Sequence, residues 1–498
     1  MGQLYDVLII GAGLSGIGAA YHLQHKRPGC RYLILEARED LGGTWDLFRY
    51  PGIRSDSDLF TFGYDFKPWR SDQAIADGPS IKAYLLETAR ENGIDQHIRY
   101  RQRVQSIDWS DEEQCWTAKV FDEGQGVWHE VKARWIFSGT GYYRYDQGYT
   151  PDFPGAADFQ GRVIHPQHWP EDYDWSGQRV LVIGSGATAV TLLPALADKA
   201  AQVTMLQRTP TYILPVPSED PVARRLRPLL GDRTAYRVTR WVNINKQRWL
   251  YQLAQRYPNF TRRLIRKVNL KYLPPDYPVD VHFNPPYNPW DQRLCAVPGG
   301  DLYRSIGQGK ASVVTAQIER FEADGIRLQN GEHLAADTII TATGLDLLAF
   351  GGIKVLMNGQ PVDLNQTMAF KGMMLSGIPN LAYAVGYTAS SWTLKVGLVC
   401  EHFCRLLAHM DERGYAVCTP QPEGEMQSRP LLDFGAGYVK RSLSLFPRQG
   451  DRFPWVAGWN YYADARMFRR GKVAHPELRF QPARPGSVRQ DAVQGAAQ

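Results

Sequence analysis

The sequence predicts an α/β protein made of two Rossmann-like dinucleotide-binding domains and a helical insert. Three observations predict it. The stretch YDVLIIGAGLSGIGAAYHL reads as an apolar strand, a glycine turn and an alanine-rich helix, and QRVLVIGSGATAVTLLPAL repeats that unit 173 residues later. The segment between the second unit and residue 290 has a helical pattern, is strongly basic and is interrupted by prolines.

A chain of 498 residues, 44% hydrophobic and 22% charged, exceeds a single ordinary core and sits in the soluble globular class. Its start, MGQLYDVLIIGAG, runs directly into a strand, without a basic region or a small-residue cleavage site. No later stretch holds 18 uninterrupted apolar residues. The chain is therefore read as cytoplasmic and not membrane-spanning. Six scattered cysteines argue against a disulfide framework or a zinc ribbon, so no metal site is expected; Cys400 and Cys404, one helical turn apart, read as core thiols.

In the first unit Gly11, Gly13 and Gly16 follow a strand and open a helix. They serve a tight turn, close approach to a pyrophosphate and close helix–strand packing, with Ser15 in the first turn of that helix. A pyrophosphate at a helix N-terminus meets free N–H groups and the positive end of the dipole. The next strand, in RYLILEAR, ends at Glu36, whose carboxylate can accept both ribose hydroxyls.

The second unit has Gly184, Ser185, Gly186, Ala187, Thr188 and Ala189, with alanine where the third glycine would pack. Its second strand, in QVTMLQR, ends at Gln207 and Arg208 with Thr209 beside them, and carries no acid. An arginine there can pair with a 2′-phosphate, so this site is expected to prefer NADPH. The apolar run TIITATGLD near residue 340 reads as a strand returning to a sheet. The expected division is a first domain over 1–143 and 375–498, a second over 144–212 and 291–374, and the insert over 213–290.

Two such folds narrow the class to flavoproteins that take hydride from a pyridine nucleotide. The disulfide reductases of that class need a redox cysteine pair beside the flavin, and no glycine motif has one nearby. Electrons must leave by another route, and O₂ is the obvious acceptor.

FQGRVIHPQHWP fills the pattern F-x-G-x-x-x-H-x-x-x-W-P with Phe159, Gly161, His165, Trp169 and Pro170, and Gly43, Trp45, Tyr50, Pro51, Gly52 and Asp56 fill a second pattern. In both, and in stretches such as YNPWDQRLCAVPGGDLYRSI, the chain resembles the type I Baeyer–Villiger monooxygenases, from about residue 4 to about residue 480, and among them the ethionamide-activating subgroup.

The resemblance implies FAD and NADPH as cofactors. It implies oxygen insertion into ketones to give esters or lactones, with oxygenation of sulfides or thioamides also expected. It places Thr44, Trp45, Asp46, Leu47, Asp56 and Val104 with Gly11, Gly13, Ser15, Gly16 and Glu36 at FAD, and Arg54, Ser55 and Asp56 with Arg208 and Thr209 at NADP. It aligns Arg293, in NPWDQRLC, with the family's active-site arginine and makes Asp56 its partner. A fixed cation stabilises negative charge developing on oxygen, and arginine, always charged, is a poor acid. His165 and Trp169 would couple domain movement to the reaction and do no acid–base chemistry. One departure is Gln292, where relatives often carry a lysine that grips the 2′-phosphate, which leaves Arg208 as the main discriminator.

Competing readings are an S- or N-oxygenase without ketone activity, an NADPH oxidase, and a non-catalytic flavin or NADPH sensor. The expected partners are a small apolar ketone or sulfur compound and O₂, with no nucleic acid. Residues 221–272 hold fourteen Lys or Arg and one acid, Asp232, together with Trp241, Trp249, Tyr251, Leu253, Tyr257 and Phe260. One reading is a peripheral surface for anionic lipid. The favoured reading is a packed subdomain with its apolar face buried on the second domain.

Overall fold

The computed structural model describes residues 3–292, 294–387, 390–432, 437–458 and 460–485. Two sheets organise them. In the larger, the strand Leu4–Ile10 lies between the parallel strands Tyr32–Leu35 and Val127–Ser138, and an antiparallel series, Gln102–Ser110, Cys115–Asp122 and Val127–Ser138, extends it. The smaller is a five-stranded parallel sheet in the order Ala311–Thr315, Gln202–Gln207, Arg179–Ile183, Thr338–Thr341, Arg162–Ile164. The run TIIT thus forms a fully buried strand beside the second glycine unit.

The apolar strand residues Val7, Leu8 and Ile9 are buried because both faces of the larger sheet are covered. The glycine turn then follows from sterics. Gly11 has φ +99°, and a Cβ on Gly16 would lie 1.9 Å from the Gly11 carbonyl oxygen, so only glycine lets the helix Leu14–Lys26 start this close to the strand.

The two crossings between domains run side by side, Tyr143–Gly148 pairing antiparallel with Leu345–Leu347. From there the chain returns to the larger sheet earlier than the expected boundary at 375: Lys354–Met357 pairs parallel with Gln102–Ser110. Alternation over this short strand gave no sign of which sheet it would join.

The insert also packs differently from expectation. The helical run Pro221–Arg256 is broken at Gly231, where φ is +69°, and Pro258–Asn269 follows it. The buried residues Ala223, Tyr236 and Arg240 of the first run face the first domain, whereas Leu273, Val279 and Phe283, further along the insert, pack with Val180, Leu192 and Leu302 of the second. Arg240 donates to the carbonyls of Phe60 (2.8 Å), Thr61 (3.1 Å) and Gly63 (2.7 Å), and the Tyr236 hydroxyl donates to Tyr64 O at 2.8 Å. Ile244 packs with Tyr387 and Leu394. The carbonyls that end the short helix Leu59–Phe62 need donors, and a buried guanidinium supplies several at once. Trp241, Trp249, Tyr251, Tyr257 and Phe260 are exposed, against the expectation that they are buried on the second domain. Among the described residues, no helix is long and apolar enough to cross a membrane.

Candidate functional site

A cavity of about 670 Å³ lies where the first glycine turn faces the second domain. Gly11, Gly13, Ser15, Glu36, Thr44, Trp45 and Val104 line it from one side, Arg54, Ser55 and Asp56 from the connecting loop, and Ala187 and Thr188 from the second domain. Glu36 is buried and accepts from Ala12 N at 2.7 Å and Arg38 N at 2.9 Å. Burial pushes its carboxyl up, and these two N–H groups oppose that. The carboxylate is thereby fixed at the cavity wall with acceptor capacity to spare.

Two expected FAD contacts do not reach the cavity lining. The Asp46 carboxylate accepts from Arg38 Nε and Lys82 Nζ, each at 2.7 Å, and these bonds outweigh its burial and hold it below the usual carboxylate range. Leu47 sits in the apolar cluster with Phe48, Tyr50 and Leu193. Their helix Thr44–Leu47 turns only Thr44 and Trp45 to the cavity. Gly16 and Ala189, also outside the lining, fill the close-packing positions of their units.

The motif Tyr50-Pro51-Gly52 binds the two domains together. The Tyr50 hydroxyl meets Thr188 and Thr191. Gly52, at φ +77°, brings the loop against the helix Ala187–Leu196, where a Cβ would lie 2.4 Å from Thr191 O. Arg54 then forms an ion pair with Asp301, at the start of the helix Asp301–Gly307. A motif read only as a family signature is therefore a mechanical joint, and it delivers Arg54, Ser55 and Asp56 to the cavity.

At the second unit the space in front of Gly186 is open, with nothing within 4 Å of where a Cβ would stand. Ser185 Oγ donates to Thr209 O at 3.0 Å, which ties the glycine turn to the end of the strand Gln202–Gln207. Arg208 is exposed there, with no ion pair among the described residues. Gly184, Ser185, Gly186, Arg208 and Thr209 thus form a separate surface beside the cavity. The first-domain cradle suits FAD, and this open turn with its nearby cation suits NADP.

His165 and Trp169 stand at the crossing between domains and do not line the cavity. The His165 ring lies against Gly148, and burial pulls its pKa down. The Gln167 amide donates to Arg144 O and Tyr145 O, both at 3.0 Å. Trp169 meets Tyr173 and Trp175 edge-on. Arg293 lies outside the described residues; Gln292 and Leu294 line a second cavity of about 250 Å³, which shares Asp56, Ser57, Ala296 and Ser390 with the first.

Sequence reasoning missed Thr140, Tyr142 and Tyr145, which follow the strand Val127–Ser138, and reached only the region around Ser390, Ser391 and Trp392 without a position for it; the Trp392 Nε1 donates to Ser15 Oγ at 3.1 Å and its ring lies 5.0 Å from that of Tyr142. The SGTG sequence after an apolar strand was the available signal.

A cavity joining two dinucleotide folds is the arrangement of an oxidoreductase that uses a flavin with a pyridine nucleotide, and none of the six cysteines is disulfide-bonded. Residues 8–235 match the family model described as pyridine nucleotide-disulphide oxidoreductase. The chain is 52% identical to the FAD-containing monooxygenase EthA of Mycobacterium tuberculosis over 98% of this chain and all of that one. It is 45% identical to the probable FAD-binding monooxygenase AlmA of Acinetobacter baylyi, covering 95% of this chain and 96% of the relative. Among solved structures it resembles a cyclohexanone monooxygenase from Rhodococcus bound to NADP+ (TM-score 0.77, 19% identity, 97% of this chain and all of that one). A steroid monooxygenase bound to NADP gives a TM-score of 0.75 at 21% identity, with the same coverage. The chain belongs to the type I FAD-containing monooxygenases, in the group of EthA, and uses FAD and NADPH.

Proposed function

We propose that this monooxygenase performs Baeyer–Villiger oxidation: a ketone, O₂, NADPH and a proton give an ester or lactone, water and NADP+. The observation that carries the reading is the position of Asp56, in the wall common to the cavity at the glycine cradle and the smaller second cavity. The second cavity is the proposed substrate space. Its lining sets Ile75, Val216, Pro217, Leu250 and Leu294 beside polar and charged residues that include Asp56, Asp58, Glu219, Asp220 and Lys246, so an apolar body and a polar carbonyl each meet a matching wall.

FAD, when bound, supplies the reduction of O₂ with electrons from NADPH. The protein's own contribution is positional and electrostatic. Glu36 and the first glycine turn hold the adenosine and pyrophosphate end, and Thr44, Trp45 and Val104 line the rest of the cradle. In this reading Arg208 selects the 2′-phosphate. We assign Arg293, with Asp56 as its partner, the role of a permanent positive charge that would stabilise the negative charge developing on oxygen during attack on the carbonyl carbon. An arginine does this without donating its proton, which keeps the attacking oxygen nucleophilic. The support for Arg293 is the family resemblance and the lining of the second cavity by its chain neighbours Gln292 and Leu294. Oxygenation of sulfides and thioamides would use the same cavity.

The test is Arg293→Ala. The variant should still oxidise NADPH, yet ester formation from a cyclic or aryl ketone should fall at least about 100-fold, as when a preorganised electrostatic group is removed, with H₂O₂ released in its place. Lactone formation at the wild-type rate would remove Arg293 from the mechanism.

A further inference from the structure

Among the described residues, the basic insert carries the largest concentration of exposed apolar side chains. Ten of the sixteen large exposed hydrophobic residues among those described fall between Leu229 and Tyr272, and Trp241 and Trp249 are 63% and 72% exposed. Isolated exposed apolar residues are ordinary, but this density is not. The spacing is helical: Arg237, Trp241 and Arg248 share one outer face, and Phe260, Leu264 and Lys267 another. Arg225, Arg233, Arg237, Arg248, Arg263 and Lys267 are exposed and form no ion pair among the described residues.

We infer that this face is a docking surface for an anionic lipid bilayer. Aromatic rings with Arg and Lys on one amphipathic surface suit the headgroup boundary, where rings bury and cations meet lipid phosphates. Charge decides against a second copy of the chain, because the exposed Arg225, Arg233, Arg237, Arg248, Arg263 and Lys267 would face their own image across a symmetric contact.

The placement has a functional consequence, which rests on the proposed use of the second cavity. Lys246, which is exposed, and Leu250 line that cavity, and Trp249 lies one helical turn from Lys246. A bilayer held at Trp249 therefore meets the rim of the cavity, so an apolar substrate dissolved in lipid enters without crossing water.

The experiment is co-sedimentation of the FAD-loaded protein with vesicles of phosphatidylcholine alone, and of phosphatidylcholine mixed with phosphatidylglycerol, at low and moderate salt. No catalysis is measured, so the result is independent of the oxygenation chemistry. Binding should need the anionic lipid and weaken with salt. Arg237→Gln and Lys267→Gln should each lower partitioning by about fivefold, the equivalent of about 1 kcal/mol per basic residue at such a surface. Trp249→Ser should abolish the fraction that resists salt, and retained flavin content shows that each variant is folded. The inference fails if the protein stays in the supernatant with anionic vesicles at low salt, or partitions equally onto neutral ones. It fails equally if the face proves to hold a dimer in solution that Trp249→Ser dissociates.

Discussion

Gly52→Ala tests the joint between the domains most directly. At φ +77° an alanine is strained by roughly 1–2 kcal/mol whatever its surroundings. Here its Cβ would also lie 2.4 Å from Thr191 O and 2.9 Å from Ala195 Cβ, so the helix Ala187–Leu196 must move. Overpacking of this kind adds about 1–3 kcal/mol, for a total of about 2–5 kcal/mol. Gly93→Ala supplies the control: φ is +63°, and nothing lies within 4 Å of the new carbon, so only the backbone strain remains. Urea unfolding followed by flavin fluorescence would give the two losses of stability, and stopped-flow reduction by NADPH would give the functional effect. Gly52→Ala should be the more destabilising and should slow flavin reduction, because Arg54, Ser55 and Asp56 hang on the same loop. Equal losses in the two variants, with unchanged reduction rates, would refute the close contact.

Two further predictions concern charge. Arg208→Ala should raise the KM for NADPH by about tenfold, the lower end of one charge-assisted bond because the residue is exposed and screened, and leave the KM for NADH unchanged; steady-state kinetics with both nucleotides check this. His402 is buried with Nδ1 2.9 Å from Phe468 O and Nε2 facing Lys371 Nζ at 3.4 Å, and burial followed by the Lys371 charge pulls its pKa to about 3. The unfolded chain therefore takes up a proton that the folded one refuses, so stability is greatest above the unfolded pKa of about 6.5 and declines as pH falls toward 3. Urea midpoints from about pH 4 to about pH 6 should flatten in His402→Gln by up to about 1.4 kcal/mol per pH unit, and an unaltered slope would show that His402 does not carry the effect.

The two nucleotide units were legible in the sequence because a glycine fingerprint records a local requirement: a strand, a turn with positive φ and a helix packed too close for a side chain. Glu36 was legible for the same reason, its place following from the length of one βαβ unit. The ion pairs of Asp46 were not legible: Arg38 and Lys82 take its carboxylate, and Lys82 comes from the separate helix Gly78–Glu91.

The insert shows the limit most clearly. Arg240 and Trp241 are adjacent in sequence, about 100° apart on a helix, and composition favours burying the tryptophan. The structure buries the arginine, because the carbonyls of Phe60, Thr61 and Gly63 need a donor there, and leaves Trp241 exposed. The sequence alone determined which segments form the nucleotide cradles, since those depend on neighbours a few residues away. Only tertiary structure decided which face of the insert is free, which carboxylate stays available and which loop joins the domains, because each depends on polar groups and close contacts supplied from distant parts of the chain.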